Sequence, residues 1–304
     1  LSRERLAAAC RALKKRRVDA VLLLDTSSLF FRAHHALPPM STRAGEPTAA
    51  LYGFAALLLK LLREGRPKGL AFALDARGPM FRHALYSGYK EQRPPLPDAL
   101  GRQLARLPAI LDAFGVPVHR APGFEADDVL ATLASRLRAD GERARIVSGD
   151  RDLFQTIRDG VDVLFVGHRG GEPAVYDVAA VTARFGVPPQ RLPSYAALVG
   201  DPSDNLPRVP GIGPRTAAKL VARFGDVATL LEHRDQIESG AIRSALLAAA
   251  DTVTRNEDLA RLRSDVPLGD GPLWAPLPRD AAARLRTVFG ELEFKSLLPR
   301  LEGL

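Results

Sequence analysis

The sequence predicts an α/β fold: an open, mainly parallel sheet over roughly the first 190 residues, followed by a helical region. Three observations predict it. Short apolar runs of strand length alternate with longer stretches of helical periodicity, the pattern of strands joined by crossover helices. The runs are apolar at successive positions rather than at alternate ones, as in strands buried on both faces. After about residue 190 the runs stop, and helical stretches separated by Pro- and Gly-bearing turns remain.

Residues 1–17, which include Lys14-Lys15-Arg16-Arg17, are a basic segment of helical composition, expected to be a solvated helix without an assigned role. Val18 to Leu24 is the first buried strand, and it ends in Asp25. A turn-rich, partly aromatic stretch is expected to about Pro47, then a helix from Thr48 as N-cap through Leu57, Leu58, Leu61 and Leu62 to Gly65. Gly69 to Leu74 is the second buried strand, and Asp75 follows it. A helix around Asp98 to Phe114 and a short strand near Val116-Pro117-Val118 come next. Gly123-Phe124-Glu125-Ala126-Asp127-Asp128 then opens a helix through Val129, Leu130, Leu133, Ala134 and Leu137. Ala144 to Gly149 is the third core strand and delivers Asp150, with Asp152 two residues later; Val161 to Val166 is a further strand, and Arg169 to Glu172 a turn. In the last third, helices are expected after Pro214, at Leu230-Leu231, over Ala241 to Leu259 and over Ala281 to Leu298.

With 46% hydrophobic and 26% charged residues the chain has a globular composition, and its net charge of +8 favours a polyanionic partner. The single cysteine, Cys10, excludes an internal disulfide framework and a Cys-rich zinc site. The six histidines lack metal-ligand spacing, so a bound metal would be held by oxygen. The N-terminal apolar run is far shorter than the ~20 residues a span requires. No membrane association is therefore expected, and the chain is read as cytoplasmic, nucleoid-associated in a bacterium.

Ligands of open α/β sheets lie beyond the carboxyl ends of the strands. Three predicted strands end there in Asp25, Asp75 and Asp150, and helix N-termini such as that of the Glu125-Asp127-Asp128 knot lie at the same edge. Two unit charges ~4 Å apart repel by about 4 kcal/mol at an effective dielectric near 20, so clustered carboxylates demand a cation. Two or more Mg²⁺ or Mn²⁺ ions suit an all-oxygen donor set, and two-metal hydrolysis of a phosphodiester is the usual chemistry of such a site.

From Arg77 to about Arg106 the composition turns basic and aromatic, with Arg77, Arg82, Lys90 and Arg93 among Phe81, Tyr86 and Tyr89. This is read as an element that handles a nucleic-acid strand. Asp201-Pro202-Ser203-Asp204 adds two more acids in a loop. Then Val209-Pro210-Gly211-Ile212-Gly213-Pro214-Arg215-Thr216-Ala217-Ala218-Lys219 is a hairpin entering a helix. Its glycines admit close approach of a phosphate, while Arg215 and Lys219 add charge for sequence-independent backbone binding.

At these residues the chain resembles the 5′ nuclease (flap endonuclease) family, which includes the 5′-3′ exonuclease domain of bacterial DNA polymerase I and its stand-alone relatives. The stretches LLLDTSSLFFRAHHALP, FALDARGPMFRHALYSGYKEQRPP, GFEADDVLATLA, IVSGDRDLFQ, GDPSDNLPRVPGIGPRTAAKL and LEFKSLL occur in the family's order. The resemblance implies a PIN-like nuclease core over residues 18–190, with a helical arch at about 77–106. It also implies a helix-three-turn-helix duplex-binding region over 191–304, with its helix-hairpin-helix motif at about 205–225.

By the same resemblance Asp25, Asp75, Glu125, Asp127, Asp128, Asp150, Asp152, Asp201 and Asp204 are the metal-binding acids. Arg82 and Lys90 contact the scissile phosphate, and Tyr89 and Phe81 stack on unpaired bases. Gly211, Gly213, Arg215, Thr216 and Lys219 grip the duplex, with K⁺ held on carbonyls near Val209–Gly213. The implied activity is structure-specific 5′-3′ exonuclease and flap endonuclease cleavage in replication and repair. Its substrates are DNA with 5′ flaps, nicks or free 5′ ends and RNA primers on DNA, cut by a monomer fused to, or working with, a DNA polymerase. A branched-DNA-binding module without catalysis and a PIN-type single-strand ribonuclease are the alternatives; the hairpin region after residue 200 argues against the second.

Overall fold

A computed structural model describes residues 19–167 and 173–304; segment 1–17, Val18 and the turn expected at Arg169–Glu172 lie outside them. The apolar runs form strands β1 (Val21–Asp25), β2 (Gly69–Ala73), β4 (Ala144–Ser148) and β5 (Val161–Phe165). Two short strands, β3 (Val118–His119) and β6 (Ala174–Tyr176), complete a six-stranded sheet of order β3-β2-β1-β4-β5-β6. Among the strand pairs of the described residues, β5–β6 is antiparallel and the others are parallel. Leu24 lies in register with Phe72 on one side and Val147 on the other. The three strands that precede Asp25, Asp75 and Asp150 are therefore neighbours ending at one edge.

Helices α1 (Thr26–Ala36), α2 (Ala49–Gly65), α3 (Phe81–Leu85), α4 (Asp98–Phe114) and α5 (Ala126–Ala139) belong to the sheet half. Leu22, Leu24 and Phe72 face α1, α2 and α4, while Val21, Leu23, Ala71 and Ala73 face α5. Both faces are covered, which is why β1 up to Asp25 and β2 carry no polar side chain. Beyond β6 come α6 (Val178–Phe185), α7 (Leu192–Val199), α8 (Pro214–Phe224), α9 (Val227–Glu232), α10 (Gly240–Ala248), α11 (Ala250–Ala260) and α12 (Ala281–Glu291).

Several expectations change. The stretch after Asp25 is helix α1 rather than turns: Asp25 Oδ1 caps it by accepting from Ser28 N at 3.0 Å, and Leu29, Phe30 and Ala33 are buried. Burial there overrides the modest helix propensity of Thr, Ser, Phe and His. Thr48 precedes α2, but the capping bond comes from Gln103, whose Oε1 accepts from Ala50 N at 2.7 Å. The helix expected over Ala241 to Leu259 breaks at Ala249 into α10 and α11. Residues of the expected helical region also return to the sheet: Leu285 and Phe289 of α12, with Leu292, Phe294, Leu297 and Leu301, join the core formed by α1, α2 and α4. Among the described residues no helix is long and apolar enough to cross a membrane.

Candidate active site

At the carboxyl edge of the sheet Asp25 ends β1 and is 2% exposed. Its Oδ2 accepts from Ser148 Oγ at the end of β4, and Ser148 Oγ in turn accepts from Asp150 N at 2.8 Å. Burial pushes the Asp25 carboxyl up to about 7, with the charges of Asp150 and Asp75 adding to it and the Ser148 and Ser28 bonds opposing. Asp75 caps α5, its Oδ1 accepting from Ala126 N at 2.9 Å. Asp127 is held well above the ordinary carboxylate range by burial and by Asp150, Asp25 and Glu125. Asp152, whose amide donates to Asp150 Oδ1 at 3.0 Å, is raised by burial and by Asp150, Asp204 and Asp201.

These mutual effects place acids from β1, α5, the β4 end and the 201–204 loop in one electrostatic cluster. Among the described residues, Asp25, Asp75, Asp127, Asp150, Asp152 and Asp201 form no ion pair with any Lys, Arg or His. Lys90 offsets the repulsion at Asp127 and Asp152 only in part, and both carboxyls stay raised. As the side chains stand, no three acidic, His or Cys groups among the described residues converge closely enough to cage an ion. The donor set is nevertheless all oxygen and in excess of its counter-charge, which fits hard divalent cations.

The remaining three acids have cations already. Glu125 accepts from Lys90 Nζ at 2.5 Å and from Tyr89 OH at 2.9 Å. Burial opposes ionisation of Glu125, but Lys90 and Arg82 outweigh it and hold its carboxyl below the usual range. Asp204 Oδ2 lies 2.9 Å from the same Tyr89 OH, whose single proton the two carboxylates share, and Asp204 Oδ1 accepts from Arg93 Nη2 at 3.1 Å. Burial raises the Asp204 carboxyl despite Lys90, Tyr89 and Arg93. Lys90, at φ 57°, is turned back over the site; burial disfavours its charge, but Glu125 and Asp204 raise its pKa on balance.

Three expected roles are corrected by this geometry. Asp128 is fully buried, and both its oxygens are saturated: Oδ1 by Arg82 Nη2 and Arg263 N, each at 2.9 Å, and Oδ2 by Arg82 Nη1 at 2.6 Å and Glu125 N at 3.2 Å. It is not among the uncompensated acids. Arg82, expected at the scissile phosphate, is 1% exposed and spends its guanidinium on Asp128, Glu125 and the carbonyls of Leu259 and Arg261. Lys90 pairs with Glu125 and Asp204, and Arg93 with Asp204. Tyr89 is 2% exposed with its hydroxyl between Glu125 and Asp204, so it bridges the two halves and presents no face to a base. Phe81 is half-buried against Phe124 and the guanidinium groups of Arg82 and Arg263. Arg77 is exposed.

Two contributors escaped the sequence reading. Ser148 is a buried polar residue at the end of β4, directly before Gly149-Asp150, and that position is the signal it offers. Asn205, at φ 59°, donates to Gly88 O at 2.8 Å and accepts from Gln92 at 2.8 Å, tying the loop of Asp201 and Asp204 to the segment that carries Lys90. An Asn after Pro-Ser-Asp is a favoured left-handed residue.

The hairpin forms as expected. Val209 and Ile212 are buried anchors; Gly211, at φ 79°, and Gly213 have open space where a Cβ would stand; Pro214 begins α8. Arg215 and Lys219 are exposed and Thr216 is half-exposed beside them. Behind the hairpin Gly200, at φ 76°, lets the backbone of Arg208 approach: a Cβ there would lie 2.6 Å from Arg208 N.

The site is thus the carboxyl edge of a mainly parallel α/β sheet, lined by acids and met by a helical half that contributes further acids and an open Gly-x-Gly turn. The model of the 5′-3′ exonuclease N-terminal, resolvase-like domain matches residues 20–186, and that of the 5′-3′ exonuclease C-terminal SAM fold matches residues 187–273. Two DNA polymerase I sequences are similar. That of Mycobacterium tuberculosis is 41% identical over 286 residues, 92% of this chain and 31% of the polymerase. That of Thermus aquaticus is 40% identical over 278 residues, 91% of this chain and 32% of the polymerase. The chain thus spans about a third of the length of these relatives.

Among solved structures, zinc-bound T5 5′-exonuclease aligns with TM-score 0.64 at 20% identity, covering 93% of this chain and all of that one. The catalytic core of Rad2 with a DNA substrate aligns at 0.61 and 18%, covering 95% and 94%. Human GEN1 with a Holliday junction aligns at 0.60 and 16%, covering 93% and 71%. These likenesses show the fold. The chain belongs to the 5′-3′ exonuclease family, whose members are nucleases that hydrolyse phosphodiester bonds.

Proposed function

We propose that this chain is a structure-specific, divalent-metal-dependent 5′-3′ exonuclease and flap endonuclease acting on 5′-flapped, nicked or 5′-ended DNA and on RNA primers in DNA duplexes. The observation that carries the reading is the set of six carboxylates without a cation partner at the sheet edge, drawn from both halves of the chain. Bound Mg²⁺ or Mn²⁺, two or more, would lower the pKa of an attacking water and stabilise the entering and leaving oxygens. Asp25, Asp75, Glu125, Asp127, Asp150, Asp152, Asp201 and Asp204 are the residues that would hold them. T5 flap endonuclease has been solved with DNA and metal ions, which supports the same requirement here.

Lys90 is poised to leave Glu125 for a phosphate oxygen once Glu125 is otherwise neutralised. Arg93, rather than Arg82, is the second cation for that phosphate. On the duplex side the open amides around Gly211 and Gly213, with Arg215, Thr216 and Lys219, bind the sugar-phosphate backbone without reading sequence, and the carbonyls of Val209–Gly213 take K⁺. The chain acts as a monomer, in replication and repair, in company with a DNA polymerase; the polymerase I relatives support the last point.

The test is cleavage of an end-labelled 5′-flap duplex against a single-stranded RNA of equal length, with Mg²⁺ and with EDTA. Mg²⁺-dependent cutting near the flap junction and none on the RNA is expected. Binding without cutting would leave a branched-DNA-binding module, and preferential RNA cleavage a PIN-type ribonuclease.

A further inference from the structure

Arg82 was expected at the substrate and stands elsewhere. Its position is that of a cross-brace among three segments that meet at the site. On its own segment it sits in α3, seven residues before Tyr89 and eight before Lys90. Across from it, Asp128 in the first turn of α5 takes two parallel bonds, at 2.6 and 2.9 Å, and Glu125 at the head of the same helix lies 3.0 Å from Nη1. On the third side, Nε donates to Leu259 O at 2.8 Å and Nη2 to Arg261 O at 3.2 Å, at the end of α11.

The guanidinium therefore has a partner in every direction, and its planar fork is what makes the arrangement possible. The chain leaving α11 is fastened to α5 by further bonds: Arg263 N to Asp128 Oδ1 at 2.9 Å, Val266 N to Thr132 Oγ1 at 3.1 Å and Arg136 Nη2 to Val266 O at 3.2 Å.

We propose that the Arg82–Asp128 pair is a positioning device for the reaction: it fixes the segment carrying Lys90 against the head of the acidic helix, and Asp128 holds no metal. The proposal rests on the nuclease reading for its kinetic consequence, but its structural half does not. Glu125 is the point of transmission. Its amide is bonded to Asp128 at 3.2 Å, its carboxylate neighbours Arg82, and the same carboxylate holds Lys90 at 2.5 Å and Tyr89 at 2.9 Å. A lysine at position 82 keeps the charge but has three donors on one nitrogen and no fork. It cannot hold Asp128 in a bidentate pair and reach two carbonyls of another segment at once. The consequence is misplacement of Lys90, with the duplex-binding hairpin on α8 left alone.

The test uses Arg82→Lys and Asp128→Asn, each alone and with Lys90→Ala. Amide exchange, measured without DNA or metal, is expected to rise at Tyr89, Lys90 and Arg93 in Arg82→Lys. Their donors go to Tyr86 O, Asp204 O and Lys90 O. Exchange at Ala217 in α8 is expected to stay as in the parent. On a 5′-flap duplex at saturating enzyme, Arg82→Lys should lower the single-turnover rate about tenfold or more, with duplex affinity in Ca²⁺ changed by less than about twofold.

In the Lys90→Ala background the same substitution should cost less than about threefold, because two changes that act through one group do not add. Equal losses in both backgrounds would mark a role in stability only and overturn the proposal. So would unchanged exchange at residues 89–93, a readout that stands even if the parent cuts nothing and the nuclease reading itself fails. Asp128→Asn should keep Mn²⁺ binding within about threefold of the parent, whereas Asp150→Asn should weaken it by about tenfold or more. If Asp128→Asn loses the ion as Asp150→Asn does, Asp128 is a ligand and the assignment is wrong. Should Arg82→Lys fail to fold, Asp128→Asn carries the exchange and kinetic comparisons in its place.

Discussion

Replacing Asp127 or Asp152 by Asn removes a carboxylate whose ionised form burial and its acidic neighbours already disfavour. Without metal, either substitution should stabilise the fold, by on the order of 1 kcal/mol. That is an increase of roughly 2 °C in the thermal midpoint. With saturating Mg²⁺ the order should reverse, because the parent gains ligand-linked stability that the variants lose. Melting each protein with EDTA and with Mg²⁺ checks both signs, and a variant less stable than the parent in EDTA would contradict the picture of an unbalanced cluster. The carboxylates were legible in the sequence because their chemistry is carried by residue type and by position after an apolar strand. The roles of Arg82 and Tyr89 were not: Arg82 bonds a carbonyl 177 residues away and Tyr89 a carboxylate 115 residues away. A basic residue beside aromatics looks the same whether it faces a phosphate or a buried Asp.

At the level of elements, the turn at Gly200 and the helix α8 carry separate predictions. Gly200 sits at φ 76° with the backbone of Arg208 and Leu206 where a side chain would be. Gly200→Ala should destabilise the protein by about 2 kcal/mol or more, read by urea unfolding, and should displace the loop of Asp201 and Asp204. On α8, Arg215→Ala with Lys219→Ala should weaken duplex binding alike for all sequences and reduce the slope of log affinity against log salt by about 2. A change confined to one sequence would contradict backbone recognition. Helix α4 was legible with both its ends, since Pro97 precedes it and Gly115, at φ 66°, ends it. Helix α1 was hidden because its cap, Asp25, also reads as a site residue and its composition is that of a loop. Strand β6 and helices α6 and α7 escaped because runs of 3 and 8 residues are too short to establish a period.

For the whole molecule, nine carboxylates set aside from a chain of net charge +8 leave a remainder of about +17. A basic body around an acidic site attracts a polyanion and then presents it to groups that need a cation to accept it. The two halves are joined at that site: Tyr89 and Asn205 link residues 88–92 to the loop of Asp204, and the chain after α11 runs back along α5. The sequence showed two regions, but the return of α12 to the sheet core depends on apolar residues whose partners in α1, α2 and α4 lie more than 150 positions earlier.

The claim on which the rest depends is that the unpaired acids bind divalent cations to cleave DNA, and single-turnover cleavage of a 5′-flap duplex over a Mg²⁺ titration measures it most directly. A rate that is zero in EDTA, rises with more than first-order dependence on Mg²⁺ and falls at least about 100-fold in Asp150→Asn is the result expected of the proposed function. Cleavage that persists in EDTA, or survives Asp150→Asn undiminished, would contradict it.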